Sequence, residues 1–183
     1  DYAIRGEGEF SILEFSHNLF HGKSPREIPG ISYINEDNKF IDSGSSRRIE
    51  HIDKLPRPAW HLLKPENYFN DFFTSGLARG RNMPILATRG CPFQCTFCSS
   101  ADMWTTRYFA RDSNRVADEI EFYQKRYDVN NINFNDLTAI LTKKWIVEFC
   151  NVILNRKLKF SWQLPSGTRS EAVDLEAAKL LFN

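Results

Sequence analysis

Met83-Pro84-Ile85-Leu86-Ala87-Thr88-Arg89-Gly90-Cys91-Pro92-Phe93-Gln94-Cys95-Thr96-Phe97-Cys98 runs from a short apolar stretch straight into three cysteines spaced C-x3-C-x2-C. Residues 83–88 read as a strand, and a strand that delivers three soft ligands into one loop reads as a metal-cluster site. The count decides the kind of site. Structural zinc wants four protein ligands, and an ordinary four-cysteine iron–sulfur centre also wants a fourth thiolate. Three thiolates leave one metal position open for a small molecule.

Other readings of the cysteines are weaker. Three free cysteines packed as hydrophobes beside Pro92 and Gln94 would be unusual. A disulfide leaves an odd thiol whichever pair is joined, and no signal-peptide pattern points to an oxidising compartment. A zinc site would need Cys150 or one of His17, His21, His51 and His61 as its fourth ligand. Cys150 lies on the helical stripe of Ile146, Phe149 and Ile153 and reads as core. The histidines all precede the loop, and none is a short-range partner of its cysteines in the sequence.

The strand–helix alternation continues downstream. Asp112-Ser113 can cap a helix whose stripe is Val116, Ile120, Tyr123 and Tyr127. Residues 131–134 form the next strand, ending at Asn135-Asp136. Thr142 can cap the helix that carries Cys150, residues 157–163 give a third strand, and residues 171–183 a third helix. Three βα repeats argue for α/β architecture with parallel strands and right-handed crossovers, as an open doubly wound sheet or a β/α barrel. In both, chemistry sits at the C-terminal strand ends. Here those ends are Thr88-Arg89-Gly90-Cys91, Asn135-Asp136 and Pro165-Ser166-Gly167-Thr168-Arg169.

Upstream the character changes. Residues 1–20 hold a short strand (2–5), the turn-like Gly6-Glu7-Gly8-Glu9 and a helix-compatible run, Phe10–Phe15. Ile31–Ile34 and Lys39–Asp42 flank a hairpin turn. Leu55-Pro56-Arg57-Pro58-Ala59-Trp60 reads as a stiff connector, because each proline disfavours helix in the residue before it. Glu7 and Glu9 are read as shaping a turn. The chain opens inside a strand pattern without Met and closes inside a helical one, and so reads as an excerpt of a longer protein.

The 183 residues carry 24 basic and 23 acidic side chains, a net charge of +1. That balance gives no footprint for nucleic acid. No apolar run approaches the roughly 20 residues a bilayer span needs. The 15 Phe, 6 Tyr and 4 Trp supply ample core. The expected setting is cytoplasmic and reducing.

With these residues in view, the chain resembles the radical S-adenosylmethionine (SAM) enzymes, in the branch with an N-terminal cobalamin (B12)-binding domain. The cysteine loop, with Phe97 just before the last cysteine, carries most of the resemblance. Gly6–Glu9 resembles the segment that closes the cobalamin domain, and Leu55–Pro58 the interdomain linker. Trp104-Thr105-Thr106-Arg107 and Pro165–Glu171 resemble segments after the first and third barrel strands. The resemblance implies a partial (β/α)6 TIM-like barrel, with about three βα units over 81–183. Before it would come a linker with a hairpin (21–80) and the C-terminal remnant of a Rossmann-like cobalamin domain (1–20). It implies a [4Fe–4S] cluster on Cys91, Cys95 and Cys98, whose open iron binds SAM. Reductive cleavage of SAM to a 5′-deoxyadenosyl radical would serve methylation, cyclisation or rearrangement of an unactivated carbon. Phe97 would contact the adenine, Asn135 and Asp136 the SAM amine, and Arg169 the SAM carboxylate or an acidic substrate group. Related proteins often carry two consecutive acidic residues where this chain has Asn135-Asp136. The partners implied are a small-molecule substrate and a one-electron donor such as flavodoxin or ferredoxin. Cobalamin is implied as a cofactor, yet no Asp-x-His-x-x-Gly stretch occurs here to ligate cobalt. An iron–sulfur electron-transfer or redox-sensing protein and a zinc-stabilised interaction module are the alternatives.

Overall fold

Residues 1–69 and 80–182 are described by a computed structural model. In chain order its elements are β1 (Tyr2–Ile4), α1 (Glu9–Phe20), β2 (Ile31–Ile34), β3 (Phe40–Asp42), β4 (Asn82–Ile85), β5 (Thr88–Arg89), α2 (Ser100–Trp104), β6 (Phe109–Ala110), α3 (Ser113–Tyr127), β7 (Asn131–Phe134), α4 (Lys143–Asn155), β8 (Ser161–Gln163) and α5 (Leu175–Phe182). Short 3-10 turns lie at Ile52–Lys54, Trp60–Leu62, Pro65–Tyr68 and Ser170–Ala172. The architecture is mixed α/β.

The chain forms two units and passes between them more than once. One comprises Asp1–Glu50 with Cys91–Arg107, the other His51–Gly90 with Tyr108–Asn183. The boundaries expected from sequence patterning lie near 20 and 80. β1 pairs antiparallel with β2, Tyr2 opposite Tyr33, so residues 2–4 share a sheet with the expected hairpin. β2 and β3 complete that sheet with Ile34 opposite Phe40. Residues 70–79 of the expected 21–80 linker, and Asn183 of the expected last helix, lie outside the described residues.

In the second unit β4, β7 and β8 run parallel in that order. Register aligns Met83, Ile132 and Trp162 across the sheet, with Ile85 beside Phe134. Because side chains alternate along a strand, these five share a face. They join Val116, Ile120 and Tyr123 of α3 and Ile146 and Phe149 of α4 in one apolar core. Cys150 belongs to that core, and burial raises its thiol to about 11, which is the behaviour of a packed hydrophobe rather than a ligand. Asp112 caps α3 by accepting from the Asn114 and Arg115 N–H groups, and Thr142 caps α4 through the Trp145 N–H.

Three boundaries differ from the sequence reading. The 83–88 strand breaks after Ile85, because the N–H groups of Ala87 and Thr88 turn to the Asp136 carboxylate and β5 pairs antiparallel with β6. The third strand begins at 161, because Lys157 and Leu158 finish α4: their N–H groups return to the Leu154 and Ile153 carbonyls, a Schellman close with Lys157 at φ 55°. The last helix begins at Leu175, where the Asp174 carboxylate accepts from the Ala177 N–H. No described helix is long and apolar enough to cross a membrane.

Candidate functional site

In the parallel-sheet unit, the face opposite the core is polar. Asn82, Asn131 and Ser161 align across the strands, and Pro84, Asn133 and Gln163 form the next row. A parallel sheet is ordinarily apolar on both faces, so this departure needs a reason. The Asn82 side-chain amide donates to the Asn133 Oδ1 at 2.8 Å, and the Ser161 hydroxyl to the Asn131 Oδ1 at 2.8 Å. The Asn131 side-chain nitrogen is buried and has no hydrogen-bond partner among the described residues. A buried amide donor left over on a polar face fits a polar guest. The alternating Asn131-Ile132-Asn133 and Ser161-Trp162-Gln163 were the signal in the sequence, and the sequence reading passed over them.

The C-terminal strand ends of this unit are tied together by Asp136, which is 1% exposed. Its carboxylate accepts from the Thr88 hydroxyl at 2.6 Å and from the N–H groups of Thr88 and Ala87. Burial, opposed by these donors, raises the carboxyl to about 6. Tyr108 lies close by, its hydroxyl raised to about 12 chiefly by burial. The third strand end is fixed by Thr168, whose hydroxyl donates to the Ile140 carbonyl at 2.8 Å and receives the Ile140 N–H at 3.1 Å. Asn135 is exposed at the end of β7, and Arg169 is half-buried just before the 170–172 turn.

The cysteine loop leaves β5 through Gly90, whose φ of 86° a residue with a Cβ rarely adopts. Cys91 and Cys95 are half-buried and Cys98 is exposed, and all three are in the reduced, thiol form. The Cys98 N–H donates to the Cys95 carbonyl at 3.0 Å, which folds the second half of the loop into a turn. Ser100 is buried at the start of α2, with its hydroxyl 3.1 Å from the Cys98 sulfur. That hydroxyl, helped by the Ser100 N–H, lowers the Cys98 pKa. Phe97 is 92% exposed. Among the described residues no three His, Cys, Asp or Glu side chains already converge on a metal position. The donor set nonetheless fits a cluster: three reduced, accessible thiols on one short loop, one of them biased toward thiolate.

No protein-family model matches the chain. It is 31% identical over 166 residues to an uncharacterized methyltransferase of Pyrococcus horikoshii, covering 91% of this chain and 34% of that protein. It is 32% identical over 165 residues to the anaerobic magnesium-protoporphyrin IX monomethyl ester cyclase of Rubrivivax gelatinosus, covering 88% of this chain and 28% of that protein. The chain thus spans about a third of the length of these curated relatives. Among solved structures, the apo form of the cobalamin-dependent S-adenosylmethionine radical enzyme OxsB superposes with a TM-score of 0.71 at 18% identity, over 98% of this chain and 25% of that one. The methyltransferase TsrM of Kitasatospora setae, with cobalamin and a [4Fe–4S] cluster bound, does so with a TM-score of 0.66 at 20% identity, over 99% of this chain and 35% of that one.

Proposed function

We propose, because this chain belongs to the radical SAM proteins in the branch with an N-terminal cobalamin domain, that it forms part of an enzyme holding a [4Fe–4S] cluster on Cys91, Cys95 and Cys98. One observation carries the reading: three reduced cysteines lie on one short loop that follows β4, the first strand of a parallel sheet, by way of β5. The cluster, when bound, supplies the electron for reductive cleavage of SAM, and the radical so made serves methylation, cyclisation or rearrangement of a small-molecule substrate. The residues of this chain bind, orient and exclude water. Phe97 offers an exposed ring for the adenine. Asn135, exposed at the β7 end, is the better placed of the two candidates for the SAM amine, since the Asp136 carboxylate already serves Ala87 and Thr88. Arg169 is assigned to a carboxylate of SAM or substrate.

Under this reading residues 81–183 supply the first half of a (β/α)6 barrel, whose polar inner face is that of Asn131 and Asn133. Residues 1–20 close the cobalamin domain and 21–80 link the two. Cobalamin is the second cofactor proposed, and flavodoxin or ferredoxin the class of electron donor. The test is reduction of the full-length, iron- and sulfide-reconstituted protein with SAM present. Formation of 5′-deoxyadenosine, lost in Cys91→Ala, Cys95→Ala and Cys98→Ala, is the expected result. A cluster whose EPR signal ignores SAM points to an electron-transfer or sensing role. A colourless protein with tightly bound zinc points to an interaction module.

A further inference from the structure

The helix that follows the cysteine loop ends in a strained turn. Thr105, at the close of α2, has φ 59° and ψ −176°. That region of backbone space is essentially reserved for glycine, and a β-branched residue stays there only when its surroundings hold it. The holding groups are in the same unit, far away in sequence. Arg48 is only 11% exposed along its side chain, and its guanidinium lies 5.5 Å from the centre of the Trp104 ring, just before Thr105. It also donates to the Arg107 carbonyl at 3.2 Å, just beyond. Glu50 pairs with the Arg107 guanidinium. Arg48 in turn faces the Glu7 carboxylate at 3.4 Å. Glu7 is 4% exposed and also accepts from the Ile49 N–H, so the acid fixes both the backbone and the side chain of the 48–49 segment. Burying a glutamate is costly unless a cation and hydrogen bonds compensate it. A turn-shaping role does not need that burial, whereas a clamp does.

We infer that Glu7 and Arg48 are positioning residues: they clamp Trp104–Arg107 and so hold α2, with Ser100 against the Cys98 sulfur, in the conformation that presents the cysteine loop. The inference rests on the cluster reading only for its consequence. The clamp itself is a property of the cluster-free chain.

Two measurements on the full-length protein separate these. In the cluster-free form, hydrogen exchange of the Asp102 and Met103 amides, which donate to the Ser99 carbonyl, reports the turn directly. Arg48→Met should speed it by about tenfold or more, the loss of a charge-assisted hydrogen bond. Exchange in β2 and β3 serves as the control and should be unchanged. Glu7→Gln, which keeps an acceptor for Ile49 but not the charge facing Arg48, should act in the same direction and less strongly. In the reconstituted form, Arg48→Lys should alter the EPR line shape of the reduced cluster and release iron to a chelator several-fold faster. Arg48→Met exchange equal to wild type at Asp102 and Met103, or faster exchange spread equally over β2 and β3, overturns the clamp. A wild-type protein that takes up no cluster sinks the cluster reading and leaves the exchange result standing.

Discussion

Asp136 shows how one buried carboxylate can set the pH response of a strand end. Its carboxyl rises from 3.8 to about 6, with burial the leading cause. A raised carboxyl favours the folded state most when protonated, so its contribution is full below about pH 4 and is lost as pH rises through 6. The stability of wild type minus that of Asp136→Asn should therefore fall by about 3 kcal/mol between pH 4 and pH 7, read from denaturant midpoints at each pH. A flat difference would show that burial does not perturb the group. Cys98 carries the opposite bias. Removing the hydroxyl with Ser100→Ala should raise the thiol pKa and slow its alkylation by iodoacetamide near pH 7 in the reduced, cluster-free protein, measured on the Cys98 peptide by mass spectrometry. An unchanged rate would count against Ser100 as the cause.

At the scale of elements, what the sequence disclosed follows from the range of the forces involved. The helices α3 and α4 were legible because a cap and an apolar stripe are local signals, here Asp112 with Val116–Ile120–Tyr123 and Thr142 with Ile146–Phe149–Cys150. The spacing of Cys91, Cys95 and Cys98 suggested a loop, and the segment between β5 and α2 carries no regular element. The break after Ile85 was not, since the acceptor that draws the Ala87 and Thr88 N–H groups away lies 48 or 49 residues later in Asp136. Arg48 was missed for the same reason: nothing near it in sequence marks it as the partner of Glu7. The end of α4 was obscured by Lys157, which occupies a left-handed position that glycine usually fills. Lys157→Gly should accordingly stabilise the fold by about 1 kcal/mol, seen as a higher denaturant midpoint with an unchanged slope. Destabilisation would mean that the lysine side chain contributes more than its backbone conformation costs.

On the scale of the whole molecule, stability in the larger unit depends on a polar knot under the 51–69 segment. Arg111 pairs with the buried Glu119 at 2.7 Å and with Asp53 at 3.2 Å. Glu119 also accepts from Tyr123, whose hydroxyl receives the Trp60 indole N–H at 2.9 Å. Arg111→Met should cost about 3–5 kcal/mol by leaving the Glu119 charge buried without its cation, whereas Arg111→Met combined with Glu119→Gln should recover part of that loss. A double variant no more stable than the single one would place the energy elsewhere. The interleaving of the two units adds a matter of timing. Arg48 and the Arg107 carbonyl it binds are 59 residues apart, and the intervening chain belongs largely to the other unit. At synthesis rates of 5–20 residues per second, Arg48 emerges on the order of 3–12 s before its partner. During nascent-chain growth the three thiols therefore leave the ribosome before the clamp that steadies them can close, and metal delivery during that interval would meet an unconstrained loop.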